Sequence, residues 1–209
     1  MDRDIVYLDL ETITGDWVEK PAPEYSGFQS VQTLNEQEAR DEYDALQLKP
    51  GMARIICIGT AWNDQEAECV MMEEKFLIDQ FIIDWHDNHT NDILPLIVGH
   101  NVIKFDLQKL YEACIKHKHY KFAQFIRVNY IIFARENTYD LMTKFAGDRG
   151  YISQHNLCRY LGTESSKDNL SGVEIAQAWR DSRREDIKAY QIDDVNTLRL
   201  NYREMTGGE

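Results

Sequence analysis

The chain has 209 residues, 43% of them hydrophobic, and a formal net charge of −13, enough for one substantial buried core and short for two. That charge argues against a protein that coats duplex nucleic acid through a broad basic face, because such binding rests on many Lys/Arg–phosphate contacts; it leaves room for one that grips a single strand end, where divalent cations neutralise phosphate locally. No apolar stretch approaches the roughly 18–20 uncharged residues that span a bilayer, no signal-peptide pattern precedes the first strand, and Cys57, Cys69, Cys114 and Cys158 lack paired short spacings, so the expectation is a cytoplasmic protein without membrane association and without a zinc or disulfide framework.

In chain order, the apolar run from Ile5 to Leu8, continuing through Asp9-Leu10-Glu11-Thr12, predicts a first strand. Residues 55–62 predict a second and 68–72 a third. Between the first two lies a long segment, residues 13–51, holding Pro21, Pro23 and Gly27 and then an acidic run. Its first half reads as an irregular loop and its second, from about Asn35 to Leu46, as a short exposed helix. A connection of this length inside a compact domain is usually functional or mobile. A helix is expected over 75–89, with Phe76, Ile78, Phe81, Ile82 and Trp85 near helical spacing. A short buried strand follows at 95–99 and a helix at 105–118. The remainder reads as mainly helical, over 139–146, 153–161, 172–179 and 184–205, with Gly147 and Gly162 where helices would stop. The pattern predicts an α/β fold, one mixed β-sheet flanked by α-helices. The whole chain, 1–209, reads as a single domain with an insertion at about 13–51.

Four segments carry candidate chemistry. In a strand, residues two apart point to the same side, so Asp9 and Glu11 project together while Leu8 and Leu10 pack opposite. Two carboxylates side by side repel each other and are tolerated where cations lie between them; hard oxygen ligands of this kind suit Mg²⁺ or Mn²⁺. Alone, the pair is also compatible with a solvated strand end. The second segment is Val98-Gly99-His100-Asn101 with Phe105-Asp106 following, where a strand ends and a helix begins. An aspartate in the first turn of a helix is favourable for dipole reasons alone, and Asn101 suits a turn. The third is Tyr190-Gln191-Ile192-Asp193-Asp194, in which Tyr190 and Asp194, four apart, share a helix face and Asp193 points to solvent. The fourth, Thr138-Tyr139-Asp140-Leu141, offers an aspartate read as a structural cap.

Order and spacing together resemble the DEDD superfamily of 3′–5′ exonucleases, in its tyrosine (DEDDy) branch on an RNase H-like fold. The resemblance rests on the strand with Asp9 and Glu11, the Gly99-His100-Asn101 strand end with Phe105-Asp106, and the late Tyr190/Asp194 helix, and spans nearly the whole chain. It includes Asn156-Leu157-Cys158-Arg159-Tyr160-Leu161-Gly162 and Lys167-Asp168, similar to the helix and loop that precede the third motif in these enzymes. A histidine branch would need His five residues before the last aspartate; Ala189 stands there. Asp9-Leu10-Glu11-Thr12 and Ile58-Gly59-Thr60-Ala61-Trp62 look most like the proofreading exonuclease domain of family-B DNA polymerases and free-standing proteins similar to it.

The resemblance implies a two-metal site for Mg²⁺ or Mn²⁺ held by Asp9, Glu11, Asp106 and Asp194, with Tyr190 orienting the attacking water. It implies nucleoside 5′-monophosphate products. Asn101 and Phe105 would lie near the terminal nucleotide, with Leu10 and Thr12 as further substrate contacts. The expected substrate is the 3′ end of single-stranded DNA, with a replication or repair protein as a possible partner. RNA remains the alternative substrate, because RNase D and oligoribonuclease relatives use the same carboxylates, and a catalytically silent binding or scaffold module is the alternative from another class. Lys116-His117-Lys118-His119-Tyr120-Lys121 is basic with an interleaved aromatic, and could touch a strand backbone or be a solvated helix end. Oligomeric state is not legible.

Overall fold

The computed structural model describes residues 3–16, 36–89, 93–132, 134–164, 170 and 172–208. Five strands form one sheet in the order β3-β2-β1-β4-β5. They are β1 (Ile5–Thr14), β2 (Ala53–Trp62), β3 (Glu68–Met71), β4 (Leu96–Gly99) and β5 (Thr138–Asp140). The pairs β1–β2 and β2–β3 run antiparallel, whereas β1–β4 and β4–β5 run parallel, so the sheet is mixed with β1 at its centre. Central placement explains the near-continuous apolar content of β1 and β2, which are covered on both faces.

Alternation along β1 sorts its side chains between two layers. Val6, Leu8 and Leu10 enter a cluster with Leu77, Ile78, Phe81 and Trp85 of α2 (Glu74–Asn88) and with Leu107, Leu110 and Cys114 of α3 (Asp106–Lys116). Phe122 and Ile126 of α4 (Tyr120–Ile126) close this layer. Tyr7 and Ile13 face the other way, toward α9 (Arg184–Thr206), with α7 (Gln154–Leu161) behind Tyr7 and α8 (Ile175–Arg180) over Ile13. A β-bulge interrupts the β1–β2 register between Glu11 and Thr12: Glu11 opposes Cys57 and Thr12 opposes Ile55, leaving Ile56 unpaired. Bulges re-aim side chains and sharpen the local twist, and this one falls beside the second candidate carboxylate.

The expected helix over 139–146 is corrected at its start. Thr138, Tyr139 and Asp140 form β5, parallel to Ile97, Val98 and Gly99 of β4. The helix α6 (Leu141–Ala146) begins only after Asp140, whose side chain accepts the Thr143 N–H as its N-cap. Pairing with an exposed strand edge outweighs helical propensity over three residues. Helices α4, at Tyr120–Ile126, and α5 (Ala134–Asn137) occupy residues that had no assigned element. Ile13 and Thr14 remain in β1, paired with Arg54 and Ala53, so the long connection starts after them. Its second half is α1 (Glu36–Ala45) followed by a 3₁₀ turn, Leu46–Leu48. The loop around Pro21, Pro23 and Gly27, together with Asn35, Phe133, Lys167 and Asp168, lies outside the described residues. Among the described residues, no helix is long and apolar enough to cross a membrane.

Candidate active site

Strand β1 overruns its parallel neighbour. Pairing with β4 ends at Tyr7–Val98, so beyond Tyr7 the backbone of β1 on that edge has no strand partner, and a buried N–H there must find an acceptor. Asp106, the first residue of α3, supplies it: the Leu10 N–H donates to Asp106 Oδ1 at 3.0 Å. The loop between β4 and α3 is pinned from below by Asp140, which accepts the N–H groups of Asn101 (3.0 Å) and Ile103 (3.2 Å). Asn101 itself takes a positive φ of 61°, a conformation asparagine tolerates better than most residues. Asp140 is thus structural, as expected of it.

On the opposite face of β1, Asp9 and Glu11 point toward α9. That helix lays a stripe of Gln191, Val195, Leu198 and Tyr202 over the sheet, at the i, i+4, i+7, i+11 spacing of a buried face. Tyr190 and Asp194 flank the stripe on the cleft side, while Asp193 is exposed. One carboxylate oxygen from each of Asp9, Glu11 and Asp194 lies within 4.8 Å of the others. Tyr190 belongs to the buried cluster that includes Ile13, Ile56 and Cys57, and its hydroxyl hydrogen-bonds the Asp194 carboxylate. Gln154, at the start of α7, donates to the Asp194 backbone carbonyl at 3.3 Å.

A cleft of about 810 Å³ opens over this group. Its lining includes all nine residues singled out in the sequence: Asp9, Leu10, Glu11, Thr12, Asn101, Phe105, Asp106, Tyr190 and Asp194. The structure brings Asp9, Glu11 and Asp194 into one tight group and sets Asp106 at the edge of the same cleft, one oxygen committed to Leu10. Leu10 is mainly a core residue, and the Thr12 hydroxyl donates to Gln47 Oε1 at 3.0 Å. Phe105 is half-buried, with the Lys109 ammonium 5.8 Å from its ring centroid. Three residues of the basic run are paired internally: Lys116 Nζ and His117 Nε2 meet Glu74 Oε2 at 2.6 and 2.9 Å, and His119 meets Asp79 at 2.9 Å, whereas Lys118, Tyr120 and Lys121 are exposed. None of its residues lines the cleft.

Several residues at the site had drawn no attention in the sequence. Gln191 Nε2 donates to Asp9 Oδ2 at 2.8 Å; a polar residue inside an otherwise apolar helical stripe was the available signal. Gly59 pairs with Asp9 across the sheet, and a Cβ there would sit 2.7 Å from the Gln191 side chain and 2.8 Å from Val195. The glycine is what lets α9 approach. Tyr151, 82% exposed, stands at the cleft, and α1 with its following turn contributes Asp41, Asp44, Gln47 and Leu48 to the wall. Arg180 fixes that wall by donating to both Asp44 oxygens, at 2.7 and 2.8 Å.

Crowding of carboxylates governs the electrostatics. Burial, then Asp106, Asp194 and Glu11, pushes the Asp9 carboxyl well above the ordinary carboxylate range, against which the Gln191 hydrogen bond acts. Burial raises Asp106 to about 8, even though its backbone hydrogen bonds favour the charged form. Burial and the adjacent Asp194 and Glu11 charges raise the Tyr190 phenol far above its usual value, so it stays protonated. An oxygen-only donor set, held close at a cost in mutual repulsion, fits a hard divalent cation such as Mg²⁺ or Mn²⁺.

A family B DNA polymerase from the hyperthermophilic archaeon Pyrobaculum calidifontis shares this architecture, with a TM-score of 0.60 over 98% of the chain at 16% identity. The fold is RNase H-like. The match covers 24% of the polymerase, so this chain spans about a quarter of that protein's length, and at this identity the likeness speaks for the fold alone. No protein-family model matches the chain, and no curated protein does.

Proposed function

We propose that this chain is a divalent-cation-dependent 3′–5′ exonuclease that hydrolyses the terminal phosphodiester of single-stranded DNA and releases nucleoside 5′-monophosphates. One observation carries the reading: side chains from β1 and α9, about 180 residues apart in sequence, hold three carboxylates whose oxygens lie within 4.8 Å of one another, with Tyr190 on Asp194 and Asp106 in the same cleft. A fold shared with a family B DNA polymerase supports it, as does the resemblance of the motifs to the tyrosine branch of the DEDD exonucleases.

Asp9, Glu11 and Asp194 would hold the cations, with Asp106 lining the same cleft from the α3 side. Bound divalent cations supply activation of water near neutral pH and neutralise the charge on the departing 3′-oxygen. Tyr190, protonated throughout, keeps its hydroxyl at Asp194 and orients the water without removing its proton; a phenol with a raised pKa is no general base at neutral pH. Asn101 and Phe105 form the wall for the terminal nucleotide, one polar and one apolar, and Leu10 and Thr12 complete it beside the carboxylates.

The test is degradation of matched DNA and RNA oligonucleotides labelled at the 5′ end, in Mg²⁺ or Mn²⁺, by the wild type and by Asp9→Ala and Asp194→Ala. A ladder of shortened labelled products, absent with either variant, is expected. Faster loss of RNA would move the substrate to RNA. Immediate release of a labelled mononucleotide, or wild-type rates in the variants, would overturn the proposal.

A further inference from the structure

We propose that Gln191 is a positioning residue for the carboxylate group: its side-chain amide, oriented by Cys57 and admitted by Gly59, fixes the rotation of Asp9 so that the rest of that carboxylate is left to the group it forms with Glu11 and Asp194. The inference rests on the cation-binding reading of that group.

Gln191 has no exposed surface at all. A buried glutamine without partners would cost several hydrogen bonds, and both ends of this amide are satisfied. Nε2 donates to Asp9 Oδ2 at 2.8 Å, and Oε1 accepts from Cys57 Sγ at 3.3 Å. The Cys57 thiol therefore reinforces the orientation that the Asp9 carboxylate, as an acceptor, already favours. Flipped, the amide would present its oxygen to a carboxylate and its N–H groups to a weak acceptor.

The approach depends on the sheet register. Gly59 opposes Asp9, and its missing Cβ is the space that the Gln191 Cγ and Nε2 fill. One turn further along α9, Val195 rests on the same glycine. Cys57 and Gly59 of β2 thus both bear on the Gln191 side chain, which alone of the three touches Asp9 Oδ2. Tyr190 is tied to Asp194 on the same helix turn, so α9 restrains two members of the carboxylate group at once. Partners of this kind, which touch a ligand and not the metal, hold ligand orientation, and their loss typically costs about 10–100-fold in metal affinity or activity.

The experiment is a calorimetric titration of Mn²⁺ into the full chain as wild type, Gln191→Leu and Cys57→Ala, with the oligonucleotide kinetics measured alongside. Gln191→Leu keeps the volume and removes both polar ends. It is expected to weaken Mn²⁺ binding about tenfold or more and to lower kcat, with KM for the oligonucleotide within about twofold of wild type. Cys57→Ala, which removes that reinforcement, should move both quantities in the same direction by less, while Cys57→Ser, which restores a donor, should recover them. If Gln191→Leu does not fold, the Cys57 pair carries the test. Wild-type Mn²⁺ affinity in Gln191→Leu, or equal affinities in Cys57→Ala and Cys57→Ser, overturns the positioning role while leaving the exonuclease reading intact. A wild-type chain that neither binds Mn²⁺ nor cleaves overturns both.

Discussion

Without a bound cation the carboxylate group should destabilise the fold, and Asp9→Asn measures by how much. Oxygens of Asp9, Glu11 and Asp194 lie within 4.8 Å of one another. Two full charges at about that distance repel by roughly 3 kcal/mol at an effective dielectric of about 20. The folded chain relieves this by keeping protons on the group: Asp9 sits well above the ordinary carboxylate range, through burial and then Asp106, Asp194 and Glu11, and Asp106 is raised to about 8. A carboxyl whose pKa is higher folded than unfolded binds more protons in the folded state. Its stabilising contribution is complete below the unfolded value of about 4 and is lost as pH climbs through the folded value.

An asparagine at position 9 can still offer its carbonyl to Gln191 Nε2 and turns an N–H toward its acidic neighbours. Near about pH 5 it should match the protonated aspartic acid and leave stability nearly unchanged. By about pH 8–9 the variant should be more stable than the wild type by roughly 1–3 kcal/mol, a large part of one charge-pair repulsion. For a chain of this size that is a rise in Tm of roughly 2–12 °C. Thermal unfolding in a chelating buffer across this pH range reads the difference directly. Repeating it with Mn²⁺ should raise the wild-type Tm at the alkaline end and leave Asp9→Asn unmoved, since binding to the folded state alone stabilises it. The reasoning fails if Asp9→Asn is the less stable protein at about pH 8–9 in chelator, or if Mn²⁺ lifts both equally.

Tyr190→Phe should slow cleavage less than any carboxylate substitution and leave the shape of the pH–rate profile unchanged, because the phenol stays protonated throughout; an altered alkaline limb would assign it a proton-transfer role. Gly59→Ala forces a Cβ to 2.7 Å from Gln191 and 2.8 Å from Val195, overpacking worth about 1–3 kcal/mol, so thermal unfolding should begin lower and nuclease activity should fall with it. A variant as stable and active as wild type would mean that α9 is not held against Gly59. Tyr151→Ala should raise KM for single-stranded DNA by roughly 5–150-fold, the range of one base-stacking contact, with Mn²⁺ affinity unchanged; an unchanged KM removes Tyr151 from the strand path. Oligonucleotide binding measured by fluorescence anisotropy should itself require a divalent cation, and tight binding in chelator would contradict that.

Local patterns were legible in the sequence wherever one strand or one helix determines them. The alternation of Tyr7, Asp9 and Glu11 against Leu8 and Leu10 and the four-residue spacing of Tyr190 and Asp194 place side chains on a face without reference to anything distant. What escaped depends on other elements. β5 has three residues, too few to show a period, and exists because β4 offers it an edge. The second role of Asp106, as acceptor for Leu10, follows from β4 ending short of β1, which no local window contains. The α1 wall is held by Arg180 on Asp44 across 136 residues. Gln191 is the case where more could have been read, since a polar side chain on the same stripe as Val195, Leu198 and Tyr202 already asked for a buried partner.

The charge of the cleft bears on what can enter it. Among its described lining residues there are six carboxylates, from Asp9, Glu11, Asp41, Asp44, Asp106 and Asp194, and no lysine or arginine. Arg180 answers Asp44 from outside the lining, with two hydrogen bonds already committed. A phosphate backbone laid along such walls meets repulsion and gains little from counterion release, which needs cationic side chains. Attraction can come from cations held between Asp9, Glu11 and Asp194, which act at one phosphate, and from apolar and aromatic surface at Phe105, Leu48, Met142 and Tyr151. A site built this way favours a strand end with one phosphate at the carboxylates and unpaired bases free to stack, and disfavours a duplex whose two backbones would both have to pass the acidic walls. The net charge of −13 is therefore compatible with the proposed enzyme, whose grip would be on a terminus and not along a helix.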